Sequence, residues 1–83
     1  MEKETAIDLA AKLLMVSKSE ASEYCYYIDD IDAFYFSVPI KGGDSIIIGK
    51  NNEVLYANSS VSFDAHKTAF KDGLRTPLSA FSE

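Results

Sequence analysis

Between Glu23 and Ile40 the chain twice alternates its side chains with a period of two, and this points to antiparallel sheet before anything else is read. In the first run Tyr24, Tyr26 and Ile28 point one way and Glu23, Cys25 and Tyr27 the other. In the second, Phe34, Phe36, Val38 and Ile40 oppose Tyr35, Ser37 and Pro39. Successive strand residues project to opposite faces, and aromatic and β-branched side chains pack well on such a half-buried surface. Asp29-Asp30-Ile31-Asp32 between the runs reads as a hairpin loop. Pro39 has no N–H for a ladder, so it belongs at an edge or near a strand end.

Two further strands follow. Gly42-Gly43-Asp44 turns into Ser45–Gly49 with its three consecutive isoleucines, and Lys50-Asn51-Asn52-Glu53 turns into Val54–Ala57. Asparagine tolerates the left-handed φ that the second turn needs. Helices flank this sheet. Residues 5–17 read as the first, with Thr5 as N-cap, Glu2 and Glu4 at the positive end of its dipole and Lys18 near the negative end. Residues 19–22 read as a short Ser/Ala-rich connection. Ser62 or Asp64 caps a last short helix that runs to about Asp72, where Gly73 takes the left-handed closing position. Phe63, His66 and Phe70 share one face of it, and the tail Arg75–Glu83, with Pro77, Leu78 and Phe81, folds back. The predicted fold is a single α+β domain over residues 1–83, ordered α-β-β-β-β-α. It is a two-layer sandwich, a four-stranded antiparallel meander carrying its helices on one face. Phe34, Phe36, Ile46, Ile48 and Val54 are the expected core, with Ile7 and Leu14 packed on them.

Eighty-three residues leave room for one layer of helix on one sheet. Apolar residues make up 47% of the chain, which argues against disorder. The lone Cys25 excludes an intrachain disulfide and any cysteine-based zinc site. A net charge of −5 argues against nucleic acid or anionic lipid as partner. No apolar run approaches a membrane span, and Met1-Glu2-Lys3-Glu4 makes a poor signal peptide. A free cysteine without an export signal predicts the cytoplasm, most simply that of a bacterium. The sequon Asn58-Ser59-Ser60 is then a chance occurrence. The first helix carries more apolar surface than one small sheet requires. Either it is deeply buried, or Leu9, Leu13 and Val16 face a second copy in a homodimer.

The functional signal lies in the hairpin. Between Lys18 and Lys41 there are five acids (Glu20, Glu23, Asp29, Asp30, Asp32) and no Lys or Arg. Tyr24, Tyr26, Tyr27, Phe34, Tyr35 and Phe36 interleave with them. Two readings stand side by side, a solvated acidic loop over buried aromatics and a docking surface for a basic protein. In the second, Tyr27 and Tyr35 share the outer sheet face with Glu23, beside Asp29, Asp30 and Asp32. Tyrosine gives large contact area at low entropy cost, and a complementary basic patch gains from the acids. The loop lacks the Gly and distal Glu of a calcium site, so no metal is expected, nor any cofactor. His66 reads as a packed helix residue, because no strained nucleophile turn accompanies the nearby Ser59, Ser60 and Ser62. Gly42-Gly43 precedes a strand and lacks the Gly-Lys-Ser/Thr of a phosphate loop. Lys67, Lys71 and Arg75 complement the negative end of the last helix. The expected function is therefore non-enzymatic protein binding, with a small structural or regulatory subunit, dimeric through its first helix, as the alternative.

The helix Ala6-Ile7-Asp8-Leu9-Ala10, the aromatic strand Ala33–Val38 and the run Ile46-Ile47-Ile48-Gly49-Lys50-Asn51-Asn52-Glu53-Val54-Leu55 together resemble immunity proteins of polymorphic toxin systems. Those run from a helix through aromatic strands to an isoleucine-rich strand, a Lys, a turn and Glu-Val. The same rhythm is similar to PepSY-type inhibitory domains of secreted proteases. Asn51-Asn52 stands where both patterns commonly carry Gly, and no functional residue is carried over. The first resemblance implies a binding role, the neutralisation of a toxin by occluding its site.

Overall fold

The computed structural model describes residues 2–37, 44–58 and 60–77. The predicted strand end Val38-Pro39-Ile40, the Gly42-Gly43 turn and the fold-back of the tail from Leu78 lie outside the described residues. The elements run α1 (Lys3–Leu14), α2 (Lys18–Glu23), β1 (Cys25–Ile28), β2 (Ala33–Ser37), β3 (Ser45–Ile48), a 3-10 turn (Lys50–Asn52), β4 (Val54–Ala57) and α3 (Phe63–Lys71). The four strands form one antiparallel meander in the order β1-β2-β3-β4. The α+β class, the strand order and both terminal helices agree with the sequence reading.

The first helix ends at Leu14, where the sequence reading carried it to residue 17, and a second helix follows it. α1 starts at Lys3, with Glu2 rather than Thr5 at the N-cap and no side-chain cap, and is closed by Met15, which adopts a left-handed conformation with φ of 59°. The amide of Val16 returns to the carbonyl of Ala11. Ser17 then opens α2 over residues expected to be a mere connection. Its hydroxyl accepts from the amide of Glu20, and the Glu20 carboxylate accepts from the amide of Ser17, at 3.1 Å each. Ser-x-x-Glu closed on itself in this way satisfies two donors that a helix start would otherwise leave exposed. Such a start is stronger than the tendency to continue α1. At the other end of the chain, Ser62 caps α3 and Gly73 follows it at φ of 96°, as the sequence predicts.

Helices cover both faces of the sheet, where the sequence reading placed them on one. On the first face, Phe34, Phe36, Ile46, Ile48 and Val54 meet Ala6, Ala10, Ala11 and Leu14 of α1 and Ala21 of α2, with Ile7 half-buried against them. The alanines let the helix backbone approach large sheet side chains closely. On the second face, Ile28, Ala33 and Ile47 pack against Phe70 of α3, with Tyr35, Leu55 and Phe63 at the margin. Pairing explains the division. Phe36 opposes Ile46 and Ile48 opposes Val54, which leaves Ile47 and Leu55 as another opposed pair on the far side. That second apolar set needs a cover, and α3 supplies it. Gly49 permits the fit, since a Cβ there would stand 2.7 Å from Cζ of Phe70.

After α3 the chain closes one edge of the sheet. The amide of Thr76 donates to the carbonyl of Val54 at 2.7 Å, and its hydroxyl accepts from the amide of Tyr56 at 2.9 Å. Arg75 lies over the ring of Phe70, 3.6 Å from its centroid, and its guanidinium pairs with Glu53. It also donates to the carbonyls of Phe70 and Leu74. Its expected role as a complement to the helix end is thus carried out by direct hydrogen bonds.

Candidate functional site

The hairpin between β1 and β2 builds its turn from its own acids. Asp32 adopts a left-handed conformation with φ of 50°, which Asp tolerates, and its amide approaches the carbonyl of Asp29. The phenol of Tyr27 donates to Oδ1 of Asp32 at 2.6 Å. That bond lowers the carboxyl of Asp32, aided by Lys50 at 3.4 Å from Oδ2, and raises the phenol of Tyr27. Asp30 reaches across to Lys67 on α3, which lowers the acid and raises the amine. Two of the three loop acids are therefore partnered within the chain. Asp29 makes no ion pair among the described residues, nor does Glu23, which ends α2 at the other end of β1.

The tyrosines do not share one face as expected. Ile28 pairs with Ala33 across the four-residue loop, so Tyr27 opposes Phe34 and Tyr26 opposes Tyr35. A loop with an even number of residues pairs odd with even positions, and this puts Tyr27 and Tyr35 on opposite faces. Tyr27 packs on Phe34 with ring centroids 5.1 Å apart, on the α1 side. Tyr35 is half-buried on the α3 side, edge-on to Phe63 at 4.8 Å and to His66 at 5.8 Å. Tyr26, which the sequence reading left out of the site, covers the outer side of Phe63 at 6.0 Å. The edge of β1 thus carries exposed rings on both sides, Tyr26 being 60% and Tyr27 46% exposed, with Tyr24 just before them at 38%. Glu23 belongs to α2 and not to the sheet face.

His66 occupies a built polar site beneath α3. Its Nε2 lies 2.7 Å from the carbonyl of Leu55, and a carbonyl only accepts, so Nε2 carries the hydrogen. Nδ1 is then an acceptor, and the hydroxyl of Ser45 donates to it at 3.1 Å. Both residues are almost wholly buried, and burial lowers the imidazole pKa. Sequence proximity suggested Ser59, Ser60 or Ser62 as the neighbouring hydroxyl; the actual partner lies 21 residues away. The parity of β3 carried that signal, because Ser45 shares the face of Ile47. A shallow cleft of about 260 Å³ between β4 and α3 is lined by His66 together with Leu55, Ala57, Asn58, Val61 and Ala69. Ser45 does not line it. Cys25 opens β1 half-buried on the first core, and burial raises its thiol pKa, which makes it a poor nucleophile.

Leu9, Leu13 and Val16 are each half-buried against the first core, so α1 buries part of the surplus that suggested a second subunit. Met15 beside them is 81% exposed. A groove of about 520 Å³ between α1 and α2 is crossed by the Asp8–Lys18 ion pair at 3.0 Å, which raises the Lys18 amine. Among the described residues no cluster of His, Cys, Asp or Glu is arranged to hold a metal ion, and no helix is long and apolar enough to cross a membrane. No family model, curated protein or solved structure matches the chain. What the arrangement can do is present rings and carboxylates at a sheet edge with which no further described strand pairs. Both nitrogens of its one buried imidazole are already occupied.

Proposed function

We propose that this protein is a non-enzymatic binding module that docks a basic protein along the β1 edge, with Tyr26 and Tyr27 as contact anchors and Glu23 and Asp29 as steering charges. The observation that carries this reading is the pair of exposed rings straddling an outer strand between two acids that make no ion pair among the described residues. Exposed aromatics of this kind are enriched among residues that dominate binding energy, and the net charge of −5 favours a basic partner. Tyr35, Asp30 and Asp32 support the site from behind by holding Phe63, Lys67 and Lys50. The saturated hydrogen bonding of His66 supports a structural rather than a catalytic role for it. An immunity or inhibitor protein acting in a bacterial cytoplasm is the most concrete form of this function, in keeping with the resemblance noted above. A homodimer through Leu9, Leu13 and Val16 is a second reading, favoured by the exposure of Met15 at the end of the same helix.

The test compares the native chain with Tyr26→Ala/Tyr27→Ala and Glu23→Gln/Asp29→Asn as baits for partners in a bacterial lysate, folding being checked by circular dichroism. A basic partner should leave the tyrosine variant faster. It should associate more slowly with the acid variant at low salt, and the difference should fade once screening acts over about 10 Å near 0.1 M. Equal rates for all three proteins would sink the proposal.

A further inference from the structure

Resting on the docking reading above, we infer that the partner binds by strand addition, an extended basic segment pairing with the backbone of β1 as a fifth strand. The two edges of the sheet carry the argument. β4 is already met by the protein's own segment after α3, through the amide and hydroxyl of Thr76. β1 is the other terminal strand, and among the described residues nothing pairs with it except β2. In an antiparallel ladder alternate residues turn their N–H and C=O groups away from the partner strand, so β1 turns outward groups that no described residue pairs with. Proteins commonly blunt such an edge with Lys, Pro, a bulge or a covering loop. Cys25-Tyr26-Tyr27-Ile28 carries no Lys and no Pro, and its pairing with β2 runs without a bulge.

Charge selects the occupant. A second copy pairing antiparallel through β1 would bring Glu23 of one chain towards Asp29 of the other, between two molecules of net charge −5. A basic segment meets the same acids favourably at both ends of the strand. Side chains of an added strand alternate between faces, and each face here offers a tyrosine beside it, Tyr26 on the α3 side and Tyr27 on the α1 side. Lys or Arg at two adjacent positions would lie over those rings, one on each face, while the backbone supplies the pairing. The sequence preference is thus loose in identity and strict in conformation.

The experiment titrates the full chain, labelled for amide NMR, with capped synthetic peptides of about seven residues that carry adjacent Lys or Arg residues flanked by Thr or Val. Two further peptides of equal charge carry N-methyl groups on the odd or on the even residues. The expected result is slowed hydrogen exchange at alternate amides of Cys25–Ile28. One N-methylated peptide should bind about tenfold or more weakly while the other keeps its affinity, because only one register faces the strand. If both N-methylated peptides bind like the parent, side-chain docking survives and strand addition is overturned. If no peptide binds at low salt in the millimolar range, the basic-partner reading falls with it. If the β1 amides of the protein alone become protected as its concentration rises, a second copy is the occupant and the inference is overturned.

Discussion

Beneath α1 the sheet presents Phe34, Phe36, Ile46, Ile48 and Val54 to a helix face made largely of alanine. Beneath α3 it presents Ile47 and Ser45 to Phe70 and a histidine. The first contact is purely apolar, and shape alone fixes how the helix lies. In the second, His66 must meet a hydroxyl on β3 and a carbonyl on β4 at once, so hydrogen-bond geometry sets the position of α3 along the sheet. The apolar face supplies most of the driving force for folding, and the polar pair supplies positional specificity. α3 is also the platform for the candidate site, since Phe63 carries Tyr26 and Tyr35 and Lys67 holds Asp30.

The sharpest way to break this contrast is Phe36→Ala. The ring is fully buried at the centre of the first core, and its loss should cost about 3–5 kcal/mol, a large part of the stability of so small a domain. Urea unfolding measures it, and an unchanged midpoint would mean that the first core is not where the stability resides. Gly49→Ala comes next. The new methyl would meet a ring itself buried on the second face, and overpacking of this kind costs about 1–3 kcal/mol. The loss should shrink when Phe70 is replaced by Leu in the same chain.

Ser45→Ala tests the polar pair itself. It leaves Nδ1 of His66 without a donor and should cost about 1–3 kcal/mol, with little change in overall secondary structure. The pH dependence gives a second measure. Burial holds His66 below the ordinary imidazole range, whereas in the unfolded chain it protonates near pH 6.5. Between those values the unfolded state binds more protons, so stability should fall as pH drops from about 6.5 and level off below the folded pKa. His66→Gln should remove that slope, and a slope that persists would assign it to another group. The smallest effects belong to the hairpin. Asp30 and Asp32 are lowered by Lys67 and by Tyr27 with Lys50, so their contribution is present above the ordinary carboxylate range and lost as pH falls through their folded values. Both are exposed at the surface, and Asp30→Asn and Asp32→Asn should barely move the melting temperature at physiological salt.

The sheet was legible in the sequence because alternation writes its faces directly. Phe34, Phe36, Ile46, Ile48 and Val54 lie together as their parity requires. The side taken by α3 was not read, although the same parity held the cue. Ile28, Ala33, Ile47 and Leu55 form a second apolar set that a one-sided sheet would leave wet. The second helix was also written, in the capping box of Ser17 and Glu20, but six Ser-, Ala- and Glu-rich residues have no apolar periodicity and read as a connection. At the candidate site, the exposure of the acids was readable and their partners were not. Lys67 lies 37 residues from Asp30, and no local pattern connects them. The tyrosine faces turned on the count of a four-residue loop, which a strand pattern read one strand at a time does not register.

All four residues of β3 are buried, with β2 on one side and β4 on the other. Ser-Ile-Ile-Ile is also the segment of this chain best suited to stack with copies of itself into a fibril, being β-branched, uncharged and free of proline. Asp44 before it and Lys50 shortly after it act as charged gatekeepers. Placed at the middle of the meander, the segment is withdrawn from other chains as soon as both neighbours have paired. Until both neighbours have paired it is open to other chains, and the tight turn at Lys50–Asn52 keeps β4 only a few residues from its place beside it.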